Sequence, residues 1–210
     1  MSVDDWLAAA RARDPDDVRE CILAGYKSGK PFTPYVPTLS LPASIDSVLD
    51  FGCGLGRNFP YLTTIARTVV GFDLPPMIER CREVSAGSAH RRVTLTSDWG
   101  DVCARRFDLV FATLVLQHVE PAPCRKYLED FARLSPAVYV LTRVRSDFET
   151  NVLDLIEECG AFDQAECVEV DHDFSTHQLR VLGRKSWAEA RLGAGSSHYE
   201  VLLRSVGEDR

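Results

Sequence analysis

Residues Val48-Leu49-Asp50-Phe51-Gly52-Cys53-Gly54-Leu55-Gly56-Arg57 run from a short apolar strand into a turn with glycine at every second position, then toward a helix. Glycine takes positive φ at no steric cost and lets a ligand approach backbone that a Cβ would shield. Three of them in alternation predict the nucleotide-binding turn of an α/β protein, because ligands of open α/β sheets bind at the carboxyl ends of strands. Taken alone, the turn also fits a tight strand-to-helix connection with no ligand.

The chain on either side of the turn favours the α/β reading. Apolar strands at about 47–51, 68–72, 92–97, 107–112 and 137–143 alternate with helices at about 57–66, 76–85, 121–134 and 148–159. That pattern requires a parallel sheet covered on both faces. Residues 166–170 and 199–204 alternate polar and apolar side chains, as suits the wetter antiparallel edge of a mixed sheet. Residues 178–182 form a candidate extra strand, and 174–197 otherwise carry no assignment. Ser2 and Asp14-Pro15-Asp16-Asp17 are start signals for two N-terminal helices. Tyr26 to Pro42 holds Pro31, Pro34, Pro37 and Pro42, a density that forbids regular structure and makes an extended connector. The expected organisation is a single domain over 1–210, with a helical cap and connector at 1–45 and the core at 46–210.

Composition narrows the partners. A net charge of -7 over 210 residues argues against the clustered Lys and Arg that a nucleic-acid footprint needs. The seven cysteines are odd in number and scattered, with no C-x-x-C pair, so they read as buried thiols in a reducing compartment. The acidic start Met1-Ser2-Val3-Asp4-Asp5 does not fit a signal peptide, and no apolar run nears the ~20 residues of a membrane span. A cytoplasmic protein with no membrane partner is expected; oligomeric state is not legible.

Spacing separates the cofactor classes. A dinucleotide turn reads G-x-G-x-x-G, but here the third glycine arrives one residue early and Asp50 stands two residues before the first. The second strand ends Val69-Val70-Gly71-Phe72-Asp73, a carboxylate about twenty residues on that can accept both ribose hydroxyls. A helix cap before Pro75-Pro76 is its other reading. The D-x-G-x-G-x-G run resembles the signature of class I S-adenosylmethionine-dependent methyltransferases.

That resemblance implies a doubly wound, mostly parallel, seven-stranded Rossmann-like sheet with an antiparallel last strand and N-terminal cap helices. It implies S-adenosyl-L-methionine as cofactor and methyl transfer as activity. Gly52, Cys53, Gly54 and Gly56 would lie under the methionine and ribose, and Asp50 would orient the methionine end. Asp73 would grip the ribose, with Leu74 and Met77 following it onto the adenine. Asp98 would accept the adenine amino group, with Trp99 beside the ring. Thr113 opens the strand end where the methyl is presented. In the run Leu116-Gln117-His118-Val119, His118 is the candidate base, since an imidazole suits proton removal at neutral pH.

The N-P-P-[YF] tetrapeptide of enzymes that methylate nucleobase amines is missing, which favours a small-molecule acceptor over nucleic acid. The resemblance also implies a lid over the cofactor from Trp6, Tyr26, Phe32 and Tyr35, which could otherwise simply cover one sheet face. Arg143 and Arg145 are candidates for an anionic substrate. His172, Asp173 and His177 match no closed metal site, so no metal is expected. Two other functions stay open: a cofactor-binding regulator without catalysis, and a nicotinamide-dependent oxidoreductase, which the early third glycine disfavours.

Overall fold

The computed structural model describes residues 11, 34–85, 92–144, 150–170, 181, 182 and 197–204. Its elements are β1 (Ser47–Phe51), α1 (Phe59–Ile65), β2 (Thr68–Phe72), α2 (Pro75–Ser85), β3 (Val93–Thr96), α3 (Trp99–Cys103) and β4 (Leu109–Thr113). A 3-10 turn comes next at Leu116–His118, then α4 (Pro121–Leu134), β5 (Ala137–Val144), α5 (Val152–Cys159), β6 (Gln164–Val170), β7 (Val181–Leu182) and β8 (Ser197–Arg204). The strand order is β3-β2-β1-β4-β5-β8-β6-β7. This is the expected mixed sheet with one addition, the two-residue β7, which falls within the candidate extra strand at 178–182.

The chain divides into two compact units, one holding Ile45–Arg105 with the residues up to Val36, the other Pro37–Ser44 with Arg106–Arg210. In the first, β1 pairs in parallel with β2, and β2 with β3. Val48, Leu49 and Asp50 on β1 are fully buried, as a strand covered on both faces demands. Pro60 opens α1, where its missing N–H costs nothing, and Phe59 and Leu62 fix it in the core. Gly71 of β2 has no room for a side chain: a Cβ there would lie 2.8 Å from Leu95 and 2.9 Å from Phe59.

In the second unit, β4 and β5 are parallel, and β8 lies antiparallel between β5 and β6. Helix α4 buries Cys124, Leu128, Phe131 and Leu134, a stripe at helical spacing, and its partner α5 is capped by Asn151, whose side chain accepts from the Leu153 amide. Glu200 on β8 is buried, and its Oε2 accepts from the Thr38 amide and hydroxyl at 2.8 Å each and from the Leu39 amide at 3.3 Å. That single carboxylate therefore holds the end of the connector.

Boundaries moved where a hydrogen bond outweighed hydrophobicity. Strand β4 begins at Leu109 instead of 107, because the Phe107 amide donates to Leu134 O. Arg11 is helical, as expected of the first N-terminal helix. The second N-terminal helix and Trp6, Tyr26, Phe32, Arg145, His172, Asp173 and His177 lie outside the described residues. Among the described residues no helix is long and apolar enough to cross a membrane, no group of three or more His, Cys, Asp or Glu is placed to hold a metal, and none of the six cysteines is in a disulfide.

Candidate functional site

All three alternating glycines have positive φ: 71° at Gly52, 54° at Gly54 and 81° at Gly56. The turn is clamped to the end of β2, since the Gly52 and Cys53 amides both donate to Phe72 O, at 2.8 and 3.1 Å. Two of the glycines are needed for different reasons. At Gly54 a Cβ would meet nothing within 4 Å, so its backbone borders open space, whereas at Gly56 a Cβ would sit 2.4 Å from the ring of buried Phe59. Gly56→Ala is accordingly expected to destabilise the protein through about 1–3 kcal/mol of overpacking and a further ~1–2 kcal/mol of left-handed backbone strain. Denaturant unfolding would register this as a lower midpoint.

Two carboxyl groups flank the turn. Asp73 does not cap α2: its Oδ2 accepts from the Gly54 amide and its Oδ1 from the Leu74 amide, each at 2.7 Å. Each oxygen keeps a second lone pair, so the group retains capacity for two further donors. Asp73 keeps a little solvent contact, yet desolvation outweighs the two amide bonds and raises its carboxyl to about 6. Asp50 is 0% exposed; its Oδ1 accepts from Asn58 Nδ2 at 3.5 Å, while Oδ2 has no hydrogen-bond partner. Burial pushes this carboxyl well above the usual range. An orphaned buried oxygen is costly, on the order of 1–3 kcal/mol, and a ligand, ion or water reaching it would offset that cost.

Asn58 also links this acid to the connector. Its Oδ1 accepts from the Tyr35 amide at 3.2 Å, and Arg57 donates to the Tyr35 hydroxyl at 2.5 Å while lying 4.9 Å over its ring. Of the four expected lid aromatics, Tyr35 is thus held against the glycine turn.

At the ends of β1 and β2, Phe51 and Phe72 stack at 5.4 Å, and Trp99 meets them edge-on at 5.7 and 5.0 Å. Trp99 is half-buried. Asp98 is exposed and caps α3, its Oδ1 accepting from the Gly100 amide at 2.8 Å and the Asp101 amide at 3.4 Å. Leu74 is half-buried and Met77 buried.

Thr113 and His118 belong to the second unit. Thr113 ends β4, and the next residue, Leu114, has φ 54°, the one positive-φ non-glycine residue among those described. Its amide donates to Leu141 O at 2.7 Å, which holds the strained turn. Such strain costs about 1–3 kcal/mol and gathers at functional positions. The chain then closes into the 3-10 turn with His118 last and half-buried. Thr150 donates to Val119 O at 2.5 Å, and Gln117 Oε1 accepts from the Arg143 amide at 2.8 Å and the Thr142 hydroxyl at 3.2 Å. A cleft of about 320 Å³ in this unit, lined by Pro42, Asp108, Ala137 and Arg204 among others, lies where β4 and β5 begin, the opposite end from His118. Asn58 and Leu114 carry no motif, and Gln117, though within the Leu116–Val119 run, has a residue type that gives no sign of its contact with Arg143.

Residues 48–136 match the family model for the methyltransferase domain. No curated protein matches the chain in sequence. Among solved structures, an O-methyltransferase family protein from Burkholderia thailandensis is similar at TM-score 0.57 and 15% identity, over 98% of this chain and 69% of that one. EvdMO1 is similar at TM-score 0.55 and 19% identity over 92% of this chain, which spans 41% of the length of EvdMO1. The N-methyltransferase NodS from Bradyrhizobium japonicum, solved with S-adenosyl-L-homocysteine, is similar at TM-score 0.51 and 12% identity, over 96% and 97% of the two chains. At such identities the likeness is one of fold. The segment that matches the methyltransferase-domain model runs from the strand before the glycine turn to the residue before β5, and the chain shares the Rossmann-like fold of these solved structures.

Proposed function

We propose that the chain transfers a methyl group from S-adenosylmethionine to a small-molecule acceptor by in-line displacement. One observation carries this reading: a turn with three positive-φ glycines whose central amide, Gly54, is held by the carboxylate of Asp73, nineteen residues on. The residues present fit the cofactor. Gly54 borders open space, Asp50 has a buried oxygen wanting a donor, and Asp73 has lone pairs left for two ribose hydroxyls. Asp50, Gly52, Cys53, Gly54 and Gly56 would hold the methionine and ribose end, Leu74, Met77, Asp98 and Trp99 the adenine, and Thr113 the methyl end.

Bound S-adenosylmethionine supplies an activated methyl group on a sulfonium. The chain's own contribution is alignment, a class of effect that yields roughly 7–11 kcal/mol. His118 takes the proton of a hydroxyl or ammonium acceptor. Residues 1–45 act as the cap of a single domain, a reading supported by Tyr35 on Arg57 and Asn58. The net charge of -7 and the missing N-P-P-[YF] support a small molecule over nucleic acid. Cytoplasmic action accords with the described cysteines, none of which is in a disulfide.

Calorimetry with S-adenosylhomocysteine, NADH and buffer tests the reading; heat with S-adenosylhomocysteine alone is expected, and none from folded protein would end it. Acceptor-dependent release of S-adenosylhomocysteine then separates an enzyme from a mere binder.

Affinity should also depend on pH. Ribose hydroxyls bond better to the ionised Asp73, so binding holds its carboxyl below the free value of about 6. Affinity for S-adenosylhomocysteine is expected to rise as pH climbs through 6, by at most about tenfold per pH unit below it, and to level off above. Asp73→Asn should flatten that component; an unaltered profile would exclude Asp73 as its source.

A further inference from the structure

Between β5 and His118 runs a hydrogen-bond relay whose polarity the backbone decides. The Arg143 main-chain amide is a donor only, and at 2.8 Å from Gln117 it requires an oxygen there. The Thr142 hydroxyl reaches the same Oε1 at 3.2 Å. Gln117 is 4% exposed, so turning its amide over would set N–H against N–H in a place with little water to compensate. The side-chain NH2 is thereby directed to His118, with Nε2 of the one 3.5 Å from Nε2 of the other. An amide nitrogen offers hydrogens and no lone pair, so the imidazole nitrogen facing it must be the acceptor.

We infer that Gln117 is a positioning residue that holds neutral His118 as the Nδ1–H tautomer, with its lone pair on Nε2. Gln117 acts through the histidine, and its orientation is set by the end of β5, twenty-six residues away. The functional meaning rests on the proposed role of His118: a base must present a lone pair, and this relay decides which nitrogen does so. At 3.5 Å the contact is near the limit for a hydrogen bond, and the proton falls on Nδ1, a buried atom with no hydrogen-bond partner of its own. The 3-10 turn and the Thr150 bond to Val119 O hold both residues in register.

The test is long-range 1H–15N correlation spectroscopy on cofactor-free protein labelled in its histidine rings, at a pH where imidazole is neutral. The His118 signals are those that vanish in His118→Ala. The native protein should show the Nδ1–H pattern. Gln117→Glu keeps an acceptor oxygen for Arg143 and Thr142 but replaces the donor with a second oxygen, and should switch His118 to Nε2–H. Gln117→Met, which removes both, should leave mixed tautomers. An Nε2–H pattern in the native protein overturns the inference with no variant required, as does an unchanged tautomer in folded Gln117→Glu. Full turnover in His118→Ala would instead remove the proposed base while leaving the tautomer assignment standing.

Discussion

Asp73→Ala is expected to weaken S-adenosylhomocysteine binding by about a hundredfold or more. The ribose would lose two hydrogen bonds to a charged acceptor, each worth roughly 1.5–3 kcal/mol, and tenfold in affinity corresponds to about 1.4 kcal/mol. A second loss adds to the first. The Gly54 amide gives up its 2.7 Å partner, and the backbone beside the open space is no longer held from β2. Asp73→Asn retains one acceptor and should fall between alanine and the native protein. Calorimetry at neutral pH gives the affinities, and thermal unfolding of each variant establishes that the fold persists. Gross unfolding is not anticipated, because removing a carboxyl that desolvation raises to about 6 also removes an unfavourable buried charge at neutral pH. Native affinity in Asp73→Ala would exclude the ribose role.

His118→Ala is expected to leave S-adenosylhomocysteine affinity unchanged and to lower turnover by about 10²–10⁴, the usual contribution of a positioned acid or base. The two variants thus separate binding from chemistry: one should change the calorimetric trace, the other only the rate of product release. His118 ends a turn fixed by Gln117, Thr150 and Leu114, so its loss should not propagate into β4 or β5. Undiminished turnover would show that alignment alone suffices for this acceptor, as for one that already presents a free lone pair.

Much of the architecture was legible because its causes are local. Short apolar runs located β1, β2 and β5, and a helical segment opening at a proline located α4, each to within a residue or so. The glycine turn was legible for the same reason, since alternating positive φ leaves a direct trace in residue type. Asp98-Trp99 shows where such reading stops. An acid at a strand tip suits a ligand and a helix cap equally, and α3, a five-residue helix with little periodicity of its own, discloses the cap only once folded.

By itself, then, the sequence determined the strand-turn-helix unit, the carboxylates Asp50 and Asp73 near it, and the mixed sheet that carries them. Tertiary structure decided what those groups touch: Asp73 on the Gly54 amide nineteen residues away, Asn58 between Asp50 and Tyr35, Gln117 turned by Arg143 twenty-six residues on. The division has a physical basis. Backbone conformation responds to each residue's own sterics, while hydrogen bonds across the fold depend on distances that only the packed chain defines.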